Sequence, residues 1–384
     1  MAGLEESFET EGLGNRSTSL AKALSRHESV EKVLIINCPR AWGGRLCERR
    51  LGRKRVEELY PVIRNGAGFS VMRLTPKLYM LNTTVFFPET SGFFSEIERK
   101  WAGKRIARLA KKLGFEKDVL WITNPRMVDI VSEVPSRLRF FDAIDDLRLH
   151  PQLQKFSRSI RKTYEWVESQ TDFICIAAEA QRGMFPKNTN LFLMPNGVDG
   201  IFLSGELPKV PLDLARIPKP VVSYVGALQE RIDVGLVSAI ADTLPNAHFV
   251  FIGPELSPSY FETLKKKPNV YFLGPKRFEE IPAYIHHSDV CVIPHKIDAF
   301  TRSMNPLKIY EYLACGKPVV STPVAGVEPF KPYITLADDP AAFSQAIRRA
   351  VSENSSSLEE ERKRAALEHS WDKRVDTVIG KIHE

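Results

Sequence analysis

From residue 220 onward, short apolar runs alternate with stretches in which apolar positions recur every three to four residues. PVVSYVGAL, HFVFIGP, VYFLG, VCVIP and PVVST are the runs, rich in Val, Ile and Phe; helical periods fall near 233–244, near 258–266, over FEEIPAYIHHS and over NPLKIYEYLACG. Continuous apolar strands separated by amphipathic helices predict parallel βαβ units and a doubly wound sheet. The first half repeats this less regularly, with KVLIIN, FSVMRLT, DVLWITNP, RLRFFDAI, DFICIAA and LFLMPN as candidate strands. Between the halves, ELPKVPLDLARIPKP carries four prolines, which resist both helix and central strand, and it reads as a linker.

The pattern predicts an α/β chain of two Rossmann-like, doubly wound domains with a cleft between them. Residues 1–30 read as a mobile tail, 31–204 as the first domain, 205–219 as the linker, 220–368 as the second domain and 369–384 as a terminal helix. A length of 384 residues with 43% apolar content agrees, since it exceeds what one ordinary core holds. In such sheets ligands bind beyond the carboxyl ends of the strands, so the loops after strands are where chemistry is to be sought.

Composition narrows the class. No run approaches the roughly 20 apolar residues that span a bilayer, and the polar N-terminus lacks the apolar core of a signal peptide. The five cysteines, Cys38, Cys47, Cys175, Cys291 and Cys315, show neither CxxC nor zinc-type spacing and fit a reducing, cytoplasmic setting. The net charge of +7 is uneven: residues 1–205 carry +8 and residues 206–384 carry −1.

NPLKIYEYLACGKPVVS, residues 305–321, places two charges inside what otherwise reads as a core helix entering a core strand. Asn305 is the expected cap, Pro306 suits the first helical position, and Gly316 with Lys317-Pro318 ends the helix. Leu307, Tyr310, Leu313 and Ala314 form the inward stripe. Lys308 and Glu311, spaced i and i+3, share another. A lysine in the first turn adds a cation to the free N–H groups of a helix N-terminus, a place favourable to phosphate. Glu311, one turn on, is placed to accept hydrogen bonds from vicinal hydroxyls such as a ribose diol. A surface ion pair, contributing about 0–1 kcal/mol, is the plain alternative.

NPLKIYEYLACGKPVVSTPVAGVEPF resembles the donor-site signature of retaining GT-B glycosyltransferases of the family 4, or group 1, type. MPNGVDGIF at 194–202, YVGALQERID at 224–233, VYFLGPKRFEEIPAYIHHSDVCVIP and the terminal HSWDKRVDTVIGKI resemble further segments of that family in order and spacing. The resemblance covers about 190 to the end well and residues 30–190 only in pattern. It implies a GT-B fold, two Rossmann-like domains facing across a cleft, with the last helix crossing back to the first domain. It also implies transfer of a hexose-type sugar from a nucleotide diphosphate sugar to an acceptor hydroxyl, with retention and without a metal or other cofactor. Gly226 then admits the donor phosphates, Arg231 and Lys308 stabilise charge on the departing diphosphate, and Glu311 holds the ribose. Lys276, Arg302, Ser303, Asn305 and Leu307 complete the substrate-binding set. IDD at 144–146 and ADD at 337–339 only approach a DxD metal motif. Two departures stand out: the family's glutamate eight positions before Glu311 is Ser303 here, and Arg231 is not followed by the usual lysine.

In the first half, Gly43-Gly44 falls in the loop after KVLIIN, where a GT-B fold admits donor phosphates and where a plain tight turn serves as well; GxGxxG is absent, so a dinucleotide is not expected. Asp142, Asp145, Asp146 and His150 follow the strand RLRFFDAI, and Asp145 is the candidate catalytic or acceptor contact, against the alternative of a helix N-cap. In FFSEIERKWAGKRIARLAKKLGF, residues 93–115, the spacing predicts Phe94, Ile97, Trp101, Ile106, Leu109 and Leu113 near one side and seven cations on the rest. Such a helix suits an anionic membrane surface, and a solvated helix covering the sheet is its alternative. The expected partners are therefore a nucleotide-sugar donor, a glycan or lipid-linked acceptor and the inner face of the plasma membrane, with no nucleic acid. A nucleotide-sugar 2-epimerase of the same fold and a catalytically silent partner subunit are the competing functions.

Overall fold

The computed structural model describes residues 15–41, 60–66, 68–87, 93–116, 118–150, 153, 156–204 and 207–383. They form two compact units, one built mainly from Ser17–Met194 and the other from Pro195–Arg374, with residues from Val375 onward grouped with the first.

In the first unit β1 (Val33–Ile36) lies parallel to β5 (Leu78–Val85), as does the short β2 (Arg40–Ala41). β3 (Val62–Gly66) and β4 (Phe69–Arg73) join β5 in an antiparallel meander. A second sheet is parallel, in the order β6 (Val119–Ile122), β7 (Leu138–Ala143), β8 (Phe173–Ile176) and β9 (Leu191–Leu193). The candidate strands read from the first half are all present, but the all-parallel expectation fails at FSVMRLT. Only Leu74–Lys77 separate β4 from β5, closed by hydrogen bonds between Thr75 and Leu78, whereas a parallel crossover needs a dozen residues or more. The strand LYMLNTTV was not legible because its second half, Asn82-Thr83-Thr84, is polar yet buried; Asn37 Nδ2 donates to Asn82 Oδ1 at 2.7 Å.

The helices of this unit are α1 (Arg16–Arg26), α2 (Phe93–Lys112), α3 (Val128–Val131) and α4 (Ser157–Gln170). α1 falls inside the stretch that composition assigned to a mobile tail. It is ordered because Leu20, Ala21 and Ala23 are buried on one side, a stripe too short and too diluted by serine to register in the sequence. α2 also departs from its expected face. Ser95, Arg99, Ala102, Ile106, Leu109 and Ala110 turn inward, while Phe94, Ile97 and Trp101 are exposed. Arg99 is held inside by the Arg126 carbonyl and by Asp129 Oδ2 at 3.5 Å, so the helix buries a cation and exposes its largest rings.

The second unit carries the regular pattern. β10 (Val221–Val225), β11 (His248–Ile252), β12 (Val270–Gly274), β13 (Val290–Ile293), β14 (Val319–Ser321) and β15 (Ile334–Leu336) pair in parallel in the order β12-β11-β10-β13-β14-β15. Alternate side chains feed two cores: Val221, Val225, Val250, Ile252, Cys291 and Ile293 one, Val222, Tyr224, Phe249, Phe251, Val290 and Val292 the other. Burial on both faces is why the strands read as unbroken apolar runs. Helices α5 (Val234–Thr243), α6 (Glu262–Lys265), α7 (Ile281–His286), α8 (Leu307–Ala314), α9 (Pro340–Ser352) and α10 (Ser356–Leu367) follow in chain order, and α11 (Trp371–His383) begins in this unit and from Val375 is grouped with the first. α5 is capped by Asp233, whose Oδ1 accepts from Leu236 N at 2.9 Å, and α9 by Asp339, which accepts from Ala341 N and Ala342 N. The ADD triplet is thus a helix cap. In the first unit, Asp146 of IDD binds Arg148 through both carboxylate oxygens, at 2.8 and 2.7 Å.

The sheet order changes direction between β10 and β13, and the loops after those two strands open the crevice used for ligands in such folds. Gly253, at the end of β11, is pressed against the first of these loops: its φ is +146°, and a Cβ there would lie 2.1 Å from the Gly226 carbonyl oxygen. Gly253→Ala is expected to lower stability by at least about 2 kcal/mol in urea denaturation. A variant as stable as the wild type would show that the two loops do not touch.

Candidate functional site

β10 ends at Val225, and Gly226 turns the chain outward with φ +137°, a region favourable to glycine. A Cβ at Gly226 would meet Lys308 Cε at 3.3 Å and Nζ at 3.4 Å. The glycine therefore serves the backbone angle and the approach of the lysine together. α8 is held in register by Tyr312, whose buried hydroxyl accepts from Val225 N at 2.8 Å and reaches Val225 O at 3.5 Å.

Lys308 stands in the first turn of α8 with Nζ 4.9 Å from the centre of the Tyr224 ring. Tyr224 is buried, and its hydroxyl contacts His295 Nε2 at 3.2 Å. His295, two residues beyond β13, is almost fully buried, and its Nδ1 has no partner. Burial, with Lys308 and Arg231 adding to it, holds this imidazole well below its ordinary pKa and so neutral. Arg231 belongs to the same corner: its carbonyl accepts from Lys296 N at 2.8 Å, and its guanidinium donates to the Gln229 side-chain oxygen.

Glu311 lies one turn after Lys308, deeply set but with an opening to solvent. Burial pushes its carboxyl up to about 7; Lys308 pulls it down and Asp199 pushes it further up. Asp199 also caps the following turn, accepting from Ile201 N at 3.3 Å. No hydrogen bond or ion pair joins the Lys308 ammonium or the Glu311 carboxylate to any described residue. The plain ion-pair alternative therefore does not hold. Two costly charges sit side by side at the ligand edge of the sheet, both unspent.

Other candidates have different partners. Asn305 does not cap α8: Pro306 occupies the N-cap position, without a side-chain cap. The Asn305 side chain instead accepts from Asn196 N at 2.9 Å and from the Tyr310 hydroxyl at 3.0 Å, and a Cβ on Gly326 would lie 2.3 Å from it. It fixes the loop that leads into α8. Ser303 is buried and donates to the Phe300 carbonyl at 2.7 Å. Arg302 is exposed beside it, and Leu307 opens the helix, half-buried. Lys276 binds Asp213 Oδ2 at 2.6 Å, and Tyr284 donates to the same carboxylate, so this cation anchors the proline-rich segment. Asp145 belongs to the first unit, where its carbonyl accepts from the Tyr164 hydroxyl at 3.3 Å; no helix follows it directly, which removes the N-cap alternative. Gly43 and Gly44 lie outside the described residues. Sequence reasoning missed Tyr224, His295 and Asp199. The available signal was position: His295 follows a strand at the switch point, and Asp199 lies within MPNGVDGIF.

The architecture is that of the GT-B glycosyltransferases. The sucrose-phosphate synthase of Thermosynechococcus elongatus superposes with a TM-score of 0.70 at 15% identity, over 97% of this chain and 94% of that one. The trehalose-6-phosphate structure from E. coli bound with UDP-2-fluoro glucose superposes with a TM-score of 0.63 at 12% identity, over 91% and 98%. Residues 219–353, the greater part of the second unit, match the model of the family Glycosyl transferases group 1. A protein of Bacillus subtilis (strain 168) named as the teichuronic acid biosynthesis glycosyltransferase TuaH is 28% identical over 158 residues, 39% of this chain. The matched part spans 40% of that relative's length.

The raised Glu311 carboxyl has a testable sign. Between about pH 4.5 and 7 the folded chain holds a proton that the unfolded chain has released, so stability falls as pH rises through that window, by about 2–3 kcal/mol. Glu311→Gln removes this fall. The variant should gain on the ligand-free wild type between pH 5 and pH 8 in urea midpoints, whereas parallel pH profiles would exclude a buried carboxyl.

Proposed function

We propose that the protein is a glycosyltransferase that binds a nucleoside diphosphate sugar at the corner formed by Gly226, Lys308 and Glu311 and transfers the sugar to an acceptor hydroxyl with retention. The observation that carries this reading is the pair of adjacent, unpartnered charges at the first turns of α8, beside the switch point of a doubly wound sheet. A diphosphate complements Lys308, Arg231 and the free N–H groups of the helix start. A ribose diol complements Glu311, and binding beside Lys308 favours the ionised carboxylate.

In the reaction, the bond from the anomeric carbon to the diphosphate oxygen breaks and the acceptor oxygen bonds to that carbon on the same face. Negative charge grows on the departing diphosphate, where Lys308 and Arg231 supply fixed positive charge that needs no reorganisation. The acceptor's proton passes to the leaving phosphate oxygen, so the chain need not provide a base and no metal is required. His295 stays neutral and supports Tyr224, whose ring carries the Lys308 ammonium. Ser303 has no carboxylate to offer the sugar, and its hydroxyl donates to the Phe300 carbonyl. The name of the Bacillus subtilis relative supports a glycan, free or lipid-linked, as acceptor.

The test is thermal unfolding with UDP, GDP and ADP and their sugars. A ligand at a hundredfold its dissociation constant stabilises by about 2.7 kcal/mol. One nucleotide series should shift the wild type, with affinity lowered about 10- to 100-fold in Lys308→Ala and reduced in Glu311→Ala. No shift with any series, in folded protein, sinks the donor-site reading. Binding without sugar transfer to any acceptor would point to the silent partner, and a changed donor sugar without acceptor to the epimerase.

A further inference from the structure

The exposed stripe of α2 changes character along its length. Positions 94, 97 and 101 are Phe, Ile and Trp; positions 104, 108 and 111, further along the same stripe, are Lys, Arg and Lys. Phe94 is 65% and Trp101 67% exposed, and Phe86 and Phe87, just beyond β5, are 74% and 45% exposed. These rings are held outward. The Glu98 carboxylate, on the same helix, accepts from Phe86 N at 2.6 Å and Phe87 N at 2.8 Å, and the Phe87 and Phe94 ring centres lie 5.9 Å apart. The helix is anchored from behind by Arg99, and by Arg105, which donates to the carbonyls of Gly68 and Thr84. Lys100, Arg108 and Lys112 have no acidic partner among the described residues, while Lys104 and Lys111 approach Glu133 and Glu116 only at 4.0 and 3.6 Å.

A group of large rings kept in water next to unpartnered cations calls for a specific occupant. We propose that this surface docks on an anionic lipid bilayer, with Phe86, Phe87, Phe94, Ile97 and Trp101 entering the boundary between headgroups and acyl chains and the cations of α2 meeting headgroup phosphates. The lengthwise separation of rings from cations favours lipid over a nucleic acid strand, which calls for the two to be interleaved. Five apolar side chains fall well short of the roughly 20–30 residues a side of a stable protein interface. No helix among the described residues is long and apolar enough to cross a membrane. This inference does not rest on the transferase reading.

Co-sedimentation of the full chain with vesicles of phosphatidylcholine, alone or mixed with phosphatidylglycerol, tests it. Binding is expected to the mixed vesicles and to weaken with salt. The double variant Phe94→Ser with Trp101→Ser should lower it by about tenfold or more. Lys104→Glu with Arg108→Glu should lower it by about 25-fold or more, at about fivefold for each cation lost. All four positions are exposed, so thermal unfolding of both variants should match the wild type, as should any nucleotide-induced shift. The proposal is overturned by a folded chain that ignores vesicles, by equal binding to neutral and anionic vesicles, or by binding that neither variant weakens. A concentration-dependent dimer, lost in the Phe94 and Trp101 variant, would overturn it too by giving the patch to a second copy of the chain.

Discussion

The hydroxyl of Tyr312 stands where the second unit turns from a sheet into a site. Pairing between β10 and β13 reaches only Ser223, while β10 stays paired with β11 through Val225. Val225 therefore presents its N–H and carbonyl towards a strand that has already diverged. The buried phenol bonds both groups, replacing the missing partner and fixing α8 against the open end of the sheet. Without it, two backbone groups would be buried unpaired, at about 1–3 kcal/mol each. Everything at the candidate site hangs from this contact, because Lys308 and Glu311 lie on the same helix and Gly226 is the next residue along the strand.

The charges of the molecule divide by whether they are spent. Arg148 with Asp146, Lys276 with Asp213, and Arg99 with a carbonyl and Asp129 are each closed within their own unit and hold loops or helices in place. Lys308 and Glu311 are not closed. Burial raises the carboxyl, the ammonium lies over an aromatic ring, and a buried neutral histidine contacts the hydroxyl of that ring. A site left in this state costs stability when empty, a common feature of preorganised binding.

Much of this was legible in the chain. The strands of the second unit were read from their apolar runs because both faces of that sheet are covered, and Lys308 and Glu311 from their helical spacing and their place after a strand. Tyr224 and His295 were not read, because a tyrosine within an apolar run and a histidine in a loop look alike whether they line a site or fill a core. LYMLNTTV escaped notice because its second half is polar yet buried, with Asn82 finding its partner, Asn37, on a segment distant in sequence. The faces of α2 were misassigned for a related reason: an arginine can be buried when a carbonyl and a carboxylate await it, and that depends on neighbours from elsewhere in the chain.

By itself the sequence determined the α/β class, the order of elements in the second half and the motif that places a lysine and a glutamate on one helix. Those features follow from periodicity and local capping, which act over a few residues. Tertiary structure decided which polar groups are satisfied and which are left open. It closed Asn305, Ser303 and Lys276 into internal contacts, left Lys308 and Glu311 unpaired, and turned Phe94 and Trp101 outward. Hydrogen-bond satisfaction and burial are properties of the packed neighbourhood, so no pattern read along the chain contains them.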